Sequence, residues 1–157
     1  MDWLVFIVYL AACMAAAATG AMFQPGQWYK DLTKPAWTPP DWLFPIAWTA
    51  LYLIIAYAAM RASLAQGAAL ATAFWAFQIA LNTLWSPVFF GLRKLKTALI
   101  VIIFLWIAVV GTMVSFYMVD MIAGLLIVPY LIWVSYAGAL NFAIVRMNAT
   151  PTATVAS

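Results

Sequence analysis

Gln78, Asn82 and Ser86 recur every fourth residue in one otherwise apolar run, with Trp75 and Trp85 flanking the same helical face. A second stripe with the same period, Tyr130, Trp133, Ala137 and Asn141, lies near the end of the chain. Amides and hydroxyls set in hydrocarbon need partners, so each stripe faces either another helix or a ligand. The chemistry they support is recognition and orientation of a ligand. Two readings stand side by side: interhelical hydrogen bonding and the lining of a pocket.

What is missing narrows the function further. Histidine and glutamate are both absent, which removes the commonest metal ligand, the commonest general base and most carboxylate chemistry. Cys13 is alone in an apolar run, so neither a disulfide nor a thiolate metal site can be built within one chain. Every charged residue falls at or near the end of an apolar run, which disfavours a proton pump or a carrier of charged substrates. No run holds a lysine for a retinal Schiff base. Haem would need Met, Tyr or Cys13 as its ligand, and nothing in the sequence selects one. The sequence therefore predicts no cofactor, no metal and no conventional catalysis.

The segment 24–41 is built unlike an ordinary connection. Trp28, Tyr29 and Trp37 are interleaved with Pro35, Pro39 and Pro40, and Trp42, Pro45 and Trp48 follow. Prolines remove backbone freedom and tryptophans supply rigid flat surface, so the segment reads as a stiff aromatic lid over something planar and apolar. Trp3, Trp42 and Trp106 fit the interfacial aromatic belt of a membrane protein.

These residues must be positioned by helices in lipid. Of 157 residues, 69% are hydrophobic and 7% charged, which excludes both an ordinary soluble domain and disorder. Hydropathy divides the chain into runs 3–23, 42–62, 68–90, 97–117 and 121–145, each near the roughly 20 residues a helix needs to cross a bilayer. The expected architecture is an all-α integral membrane protein, a five-transmembrane-helix bundle with a long Trp/Pro-rich first loop. Barrel strands would be about half that length and alternate in polarity. A single domain is expected over 1–147, with a disordered tail over 148–157. The first run follows Asp2 and lacks a basic leader, so it reads as a retained helix. Short connections after the second, third and fourth runs force antiparallel neighbours. Pro45, Pro87 and Pro129 fall inside runs and predict bends.

Lys30, Lys34, Arg93, Lys94, Lys96 and Arg146 collect on one side of such a bundle, and Arg61 stands alone on the other. The positive-inside rule then places the long loop and the C-terminus in the cytoplasm and the N-terminus outside. Ala69, Ala73, Ala76 and Ala80 form a small-residue stripe on the third run, suited equally to a homodimer contact and to packing within the bundle.

The segments WYKDLTKPAWTPPDWLFPIAWTALY, LNTLWSPVFFGL and VPYLIWVSYAGALNF resemble the tryptophan-rich sensory protein and translocator protein family, also known as peripheral-type benzodiazepine receptors. The resemblance runs from the first span to Arg146 and implies a five-helix bundle, often a homodimer. It also implies a pocket under the first loop for porphyrins such as protoporphyrin IX and for benzodiazepine-site ligands. By the same resemblance, some bacterial members promote light-dependent porphyrin degradation and animal members bind cholesterol. Trp28 and Trp133 match the tryptophans tied to porphyrin binding and breakdown. Tyr29, Pro39, Asn82, Ser86 and Ala137 match pocket-lining positions, with Trp37 and Trp42 in the same aromatic loop. Asn141 joins them from its stripe. The family's sterol-associated pattern is met in outline by Leu140, Phe142 and Arg146, with phenylalanine where the pattern wants tyrosine.

The implied function is a membrane receptor for porphyrin, with Lys30 and Lys34 available to its propionates and a regulatory or stress-sensing role. Light-dependent porphyrin breakdown, and transport of porphyrin or sterol, are the alternatives. A bacterial inner membrane is the expected location, and no nucleic-acid partner is expected.

Overall fold

The computed structural model describes residues 2–149; of the disordered tail expected over 148–157, residues 150–157 lie outside the described residues. Helices α1 Trp3–Met22, α2 Gln27–Asp31, α3 Leu43–Ser63 and α4 Ala69–Ser86 are followed by a π-helical turn, Pro87–Gly91. Then come α5 Leu95–Val119, α6 Met121–Leu126 and α7 Val128–Met147. No strand occurs among the described residues. Among the described residues four helical stretches are long and apolar enough to cross a membrane: α1, α3, α5, and α6 with α7 as Met121–Met147. The expected third run forms α4, whose Thr72, Gln78, Asn82 and Thr83 make it more polar than those four.

Each end of the bundle is set by local chemistry. The Asp2 carboxylate accepts from Leu4 N at 3.1 Å and Val5 N at 3.2 Å, satisfying two amides that open α1. On α5 the buried Ala98, Val101, Ile102, Leu105, Ala108, Val109 and Thr112 recur at helical spacing. The opposite face shows Ile100, Ile103, Phe104 and Ile107 to the surroundings. An apolar helix that buries one face and exposes isoleucine on the other is facing lipid. The inner faces are rich in small side chains: α3 buries Ala56, Ala58, Ala59 and Ala62, which lets backbones approach closely where lipid gives no hydrophobic drive to association.

The three prolines do different things. Pro87 opens the π-helical turn that ends α4, and Pro129 sits in the first turn of α7, just after the break at Ile127 that splits the expected run 121–145. Pro45 lies in the first turn of α3, where its missing amide costs no intrahelical bond. The bend expected there is therefore not needed.

At the end of the bundle remote from the lid, Arg61 of α3 pairs with Asp120 at 2.8 Å. Asp120 also caps α6 by accepting from Ala123 N at 3.0 Å. Burial alone would raise this carboxyl, but the Ala123 amide and the Arg61 guanidinium outweigh it and hold its pKa below the usual carboxylate range. A depressed carboxylate contributes stability above its unfolded pKa and loses it as pH falls through the folded value. Acidification is therefore expected to lower the unfolding temperature in detergent, and Asp120→Asn is expected to flatten that dependence. An equally steep profile in the variant would contradict this role.

Candidate functional site

A cavity of about 690 Å³ lies between the lid segment and the ends of α1, α3, α4, α5 and α7. Its deep side is a hydrogen-bonded polar chain. Tyr52 OH donates to Asn82 Oδ1 at 2.9 Å, Asn82 Nδ2 donates to Tyr130 OH at 2.8 Å, and Tyr130 OH donates to Gln78 Oε1 at 2.8 Å. Tyr52 and Asn82 reach the cavity wall, while Gln78 and Tyr130 lie buried behind them. The first stripe therefore does both things its spacing allowed, binding helices together and exposing one amide to the cavity. Replacing Asn82 with Leu leaves the Tyr52 hydroxyl without its acceptor and takes one of its two bonds from the buried Tyr130 hydroxyl, and is expected to destabilise the fold by about 2 kcal/mol. Denaturant unfolding in detergent measures this; an unchanged midpoint would remove the chain from any structural role.

The side walls are aromatic. Trp48 stacks on Tyr52 at 5.2 Å, and Trp133 meets Trp48 edge-on at 6.4 Å and Phe44 at 5.8 Å. Trp85 stacks on Phe89 at 4.9 Å and donates through Nε1 to Asn141 Oδ1 at 3.3 Å. Asn141 Nδ2 in turn donates to the Leu95 carbonyl at 3.1 Å, fixing α7 against the start of α5. Lys30 and Asp41 mark the lid edge as the charged groups on the wall.

The lid is fastened. Lys34 Nζ donates to the carbonyls of Tyr29 at 2.6 Å, Leu32 at 3.0 Å and Lys30 at 3.1 Å, capping the short α2. Asn148 takes the Thr33 amide at 3.0 Å and returns a bond to the Thr33 carbonyl at 2.8 Å. Tyr136 OH donates to the Trp37 carbonyl. Tyr29 is buried against Phe89 and Phe90. Burial, helped by Asp41 and Tyr136, pushes its phenol up to about 12, so it is neutral at physiological pH and keeps its proton to donate.

Of the residues expected at the site, Tyr29, Asn82, Ser86, Trp133, Ala137, Asn141 and Leu140 line the cavity. Trp28 packs on the outer side, 6.1 Å from Phe89 and 5.8 Å from the Arg93 guanidinium. Trp37 is 48% exposed with its ring 5.5 Å from Tyr136, Pro39 is buried away from the cavity wall, and Trp42 is exposed at the head of α3. Lys34 is held by backbone carbonyls, leaving Lys30 as the lysine at the wall. The sterol-associated set divides across α7: Leu140 faces inward, whereas Phe142 faces outward with Arg146 at 5.8 Å from its ring. Sequence reasoning missed Phe44, Trp48 and Tyr52. The four-residue spacing of the last three positions, 44, 48 and 52, was the signal that could have found them.

Apolar helices long enough to cross a bilayer, surrounding an internal aromatic cavity, define a multi-pass helical membrane protein. The TspO/MBR family model matches residues 4–147, and the chain belongs to that family. It is 51% identical over 148 residues to the tryptophan-rich sensory protein of Cereibacter sphaeroides, covering 94% of each chain. To protein CrtK of Rhodobacter capsulatus it is 52% identical over 152 residues, covering 94% of this chain and 95% of the relative. The translocator protein of Homo sapiens is 30% identical over 154 residues, with 93% and 91% covered.

Proposed function

We propose that the chain is a membrane receptor that binds porphyrins, protoporphyrin IX among them, and benzodiazepine-site ligands in the cavity beneath the lid. The observation that carries this reading is the aromatic cavity of about 690 Å³ with few polar groups on its wall, within the size range and chemistry of small-molecule sites. Trp133 and Trp48 offer ring faces and edges, Asn82 and Tyr29 fix orientation, and Lys30 meets a propionate at the lid edge. Trp28 contributes through the lid, by holding it over Phe89. Apolar burial and stacking supply most of the affinity. Porphyrin quenching of tryptophan fluorescence tests the reading: saturable quenching that both Trp28→Ala and Trp133→Ala leave unchanged would sink it.

Light-dependent breakdown of bound porphyrin is a second reading. It is favoured by the ring sequence Trp37, Tyr136, Trp133 and Trp48, whose neighbouring centroids lie 5.5 to 6.4 Å apart. Indoles so placed can act as electron donors to an excited ligand, with oxygen completing the chemistry. Porphyrin loss under illumination no faster than with an unrelated tryptophan-rich membrane protein would count against it. Transport of porphyrin or sterol would use the same cavity, and a regulatory role would follow from its occupancy.

In this reading α4 completes a five-span bundle, its amides turned inward. The lid and C-terminus face the cytoplasm of a bacterial inner membrane, on the side that collects the basic residues. Ala69, Ala73, Ala76 and Ala80 are all exposed on the outer face of α4, which favours a homodimer through this helix over packing within one chain.

A further inference from the structure

A second concavity lies on the outside of the bundle, between α5 and α7, and the ligand cavity makes no use of its outer walls. It measures about 620 Å³, and its lining includes Leu99, Ile103 and Trp106 from α5 and Gly138, Ala139 and Phe142 from α7. Two hydrogen bonds tie these helices together, one on the inner side of α7 and one between residues that line the trough. Asn141 Nδ2 bonds the Leu95 carbonyl at 3.1 Å toward the lid, and Trp106 Nε1 bonds Ser135 Oγ at 2.8 Å farther down. Gly138 and Ala139 supply almost no side-chain bulk, so the trough reaches close to the α7 backbone. Ile103, Trp106 and Phe142 stand along it as exposed walls.

Charge is confined to one end of this trough. Lys96 precedes Leu99 by three residues and Ile103 by seven, so it shares their face of α5. Arg146 follows Phe142 by four residues and Ala139 by seven, so it shares theirs on α7. Both cations are exposed at the lid end. Neither has a carboxylate partner among the described residues, where the one ion pair is Arg61 with Asp120 at the opposite end. From Ser135 to Arg146 the helix rises about 16 Å, which suits a fatty acyl chain laid along it.

We propose that this groove holds one anionic phospholipid, with an acyl chain along Gly138 and Ala139 and its phosphate between Lys96 and Arg146. Charge selects this occupant over the others. A second copy of the chain docked here by a two-fold contact would bring two cation pairs together. A sterol offers a neutral hydroxyl that leaves both cations unanswered, and a zwitterionic headgroup adds a cation of its own.

The test is native mass spectrometry of delipidated protein incubated with phosphatidylglycerol, phosphatidylcholine or cholesterol. One phosphatidylglycerol is expected to be retained in preference to the other two. Lys96→Gln and Arg146→Gln are each expected to cut retention roughly fivefold and together about thirtyfold. The charge-preserving pair Lys96→Arg with Arg146→Lys is expected to keep the lipid, and Ala139→Phe, which fills the trough, to lose it. Circular dichroism identifies any variant that fails to fold, in which case the remaining single variants decide. Equal retention of phosphatidylglycerol and phosphatidylcholine, preferential retention of cholesterol, or retention unchanged by the neutral pair would overturn the proposal.

Discussion

Replacing Trp133 with alanine is expected to weaken protoporphyrin binding by at least about tenfold, the scale of losing one aromatic stacking surface. Trp133 lines the cavity and touches Phe44, Trp48 and Tyr136, so its loss removes a ring from the wall and loosens three others. Trp28→Ala is expected to have a smaller effect, because Trp28 braces the lid from outside through Phe89 and Arg93. Fluorescence titration of the two variants measures both. A larger loss at Trp28 than at Trp133 would place the ligand against the lid and outside this cavity.

Gly124→Ala is expected to be among the most damaging single substitutions in the bundle. A Cβ built at Gly124 would stand 2.5 Å from Tyr117 Cβ, 2.6 Å from its Cα and 2.7 Å from its N, and backbone atoms cannot turn aside as a side chain can. The α5 to α6 junction must open to admit the methyl group, at a cost on the order of 3 kcal/mol. Helix propensity returns up to about 1 kcal/mol of that. Gly138→Ala is the internal control: its nearest neighbour would be Ile102 Cγ2 at 3.9 Å, an ordinary contact, so stability should hold or rise slightly. Comparable unfolding temperatures for the two variants in detergent would show that the junction is not tightly packed.

The helix limits were legible because hydropathy changes abruptly at each end. The first apolar run, 3–23, became Trp3–Met22, and the second, 42–62, became Leu43–Ser63. The break at Ile127 was legible only through Pro129, which predicts a bend there because it lacks an amide hydrogen, whereas hydropathy runs straight through it. Pro45 misled because a proline's effect depends on its distance from a helix start, which hydropathy fixes only to within a turn.

At the site, helical spacing found Asn82, Trp133, Ala137 and Asn141, since each stripe keeps one face turned inward. It could not place the lid tryptophans, because an irregular segment has no period from which to read orientation. Nor could it decide whether the alanines of α4 face inward or out. Their exposure follows from the opposite face being occupied by Trp75, Gln78 and Asn82, which are buried against neighbouring helices. Lys34 looked available for an anionic ligand, yet the short α2 needs its last carbonyls capped and takes that ammonium for itself.

The most direct measurement is a spectroscopic titration of the purified protein with protoporphyrin, a sterol and a benzodiazepine-site ligand, run in darkness and then under light, for the wild type and Trp133→Ala. The expected result is saturable binding of protoporphyrin in darkness, competition by the benzodiazepine-site ligand, and a marked loss of affinity in the variant. Non-saturable quenching, or saturable quenching identical in wild type and Trp133→Ala, would contradict a porphyrin site in the cavity beneath the lid.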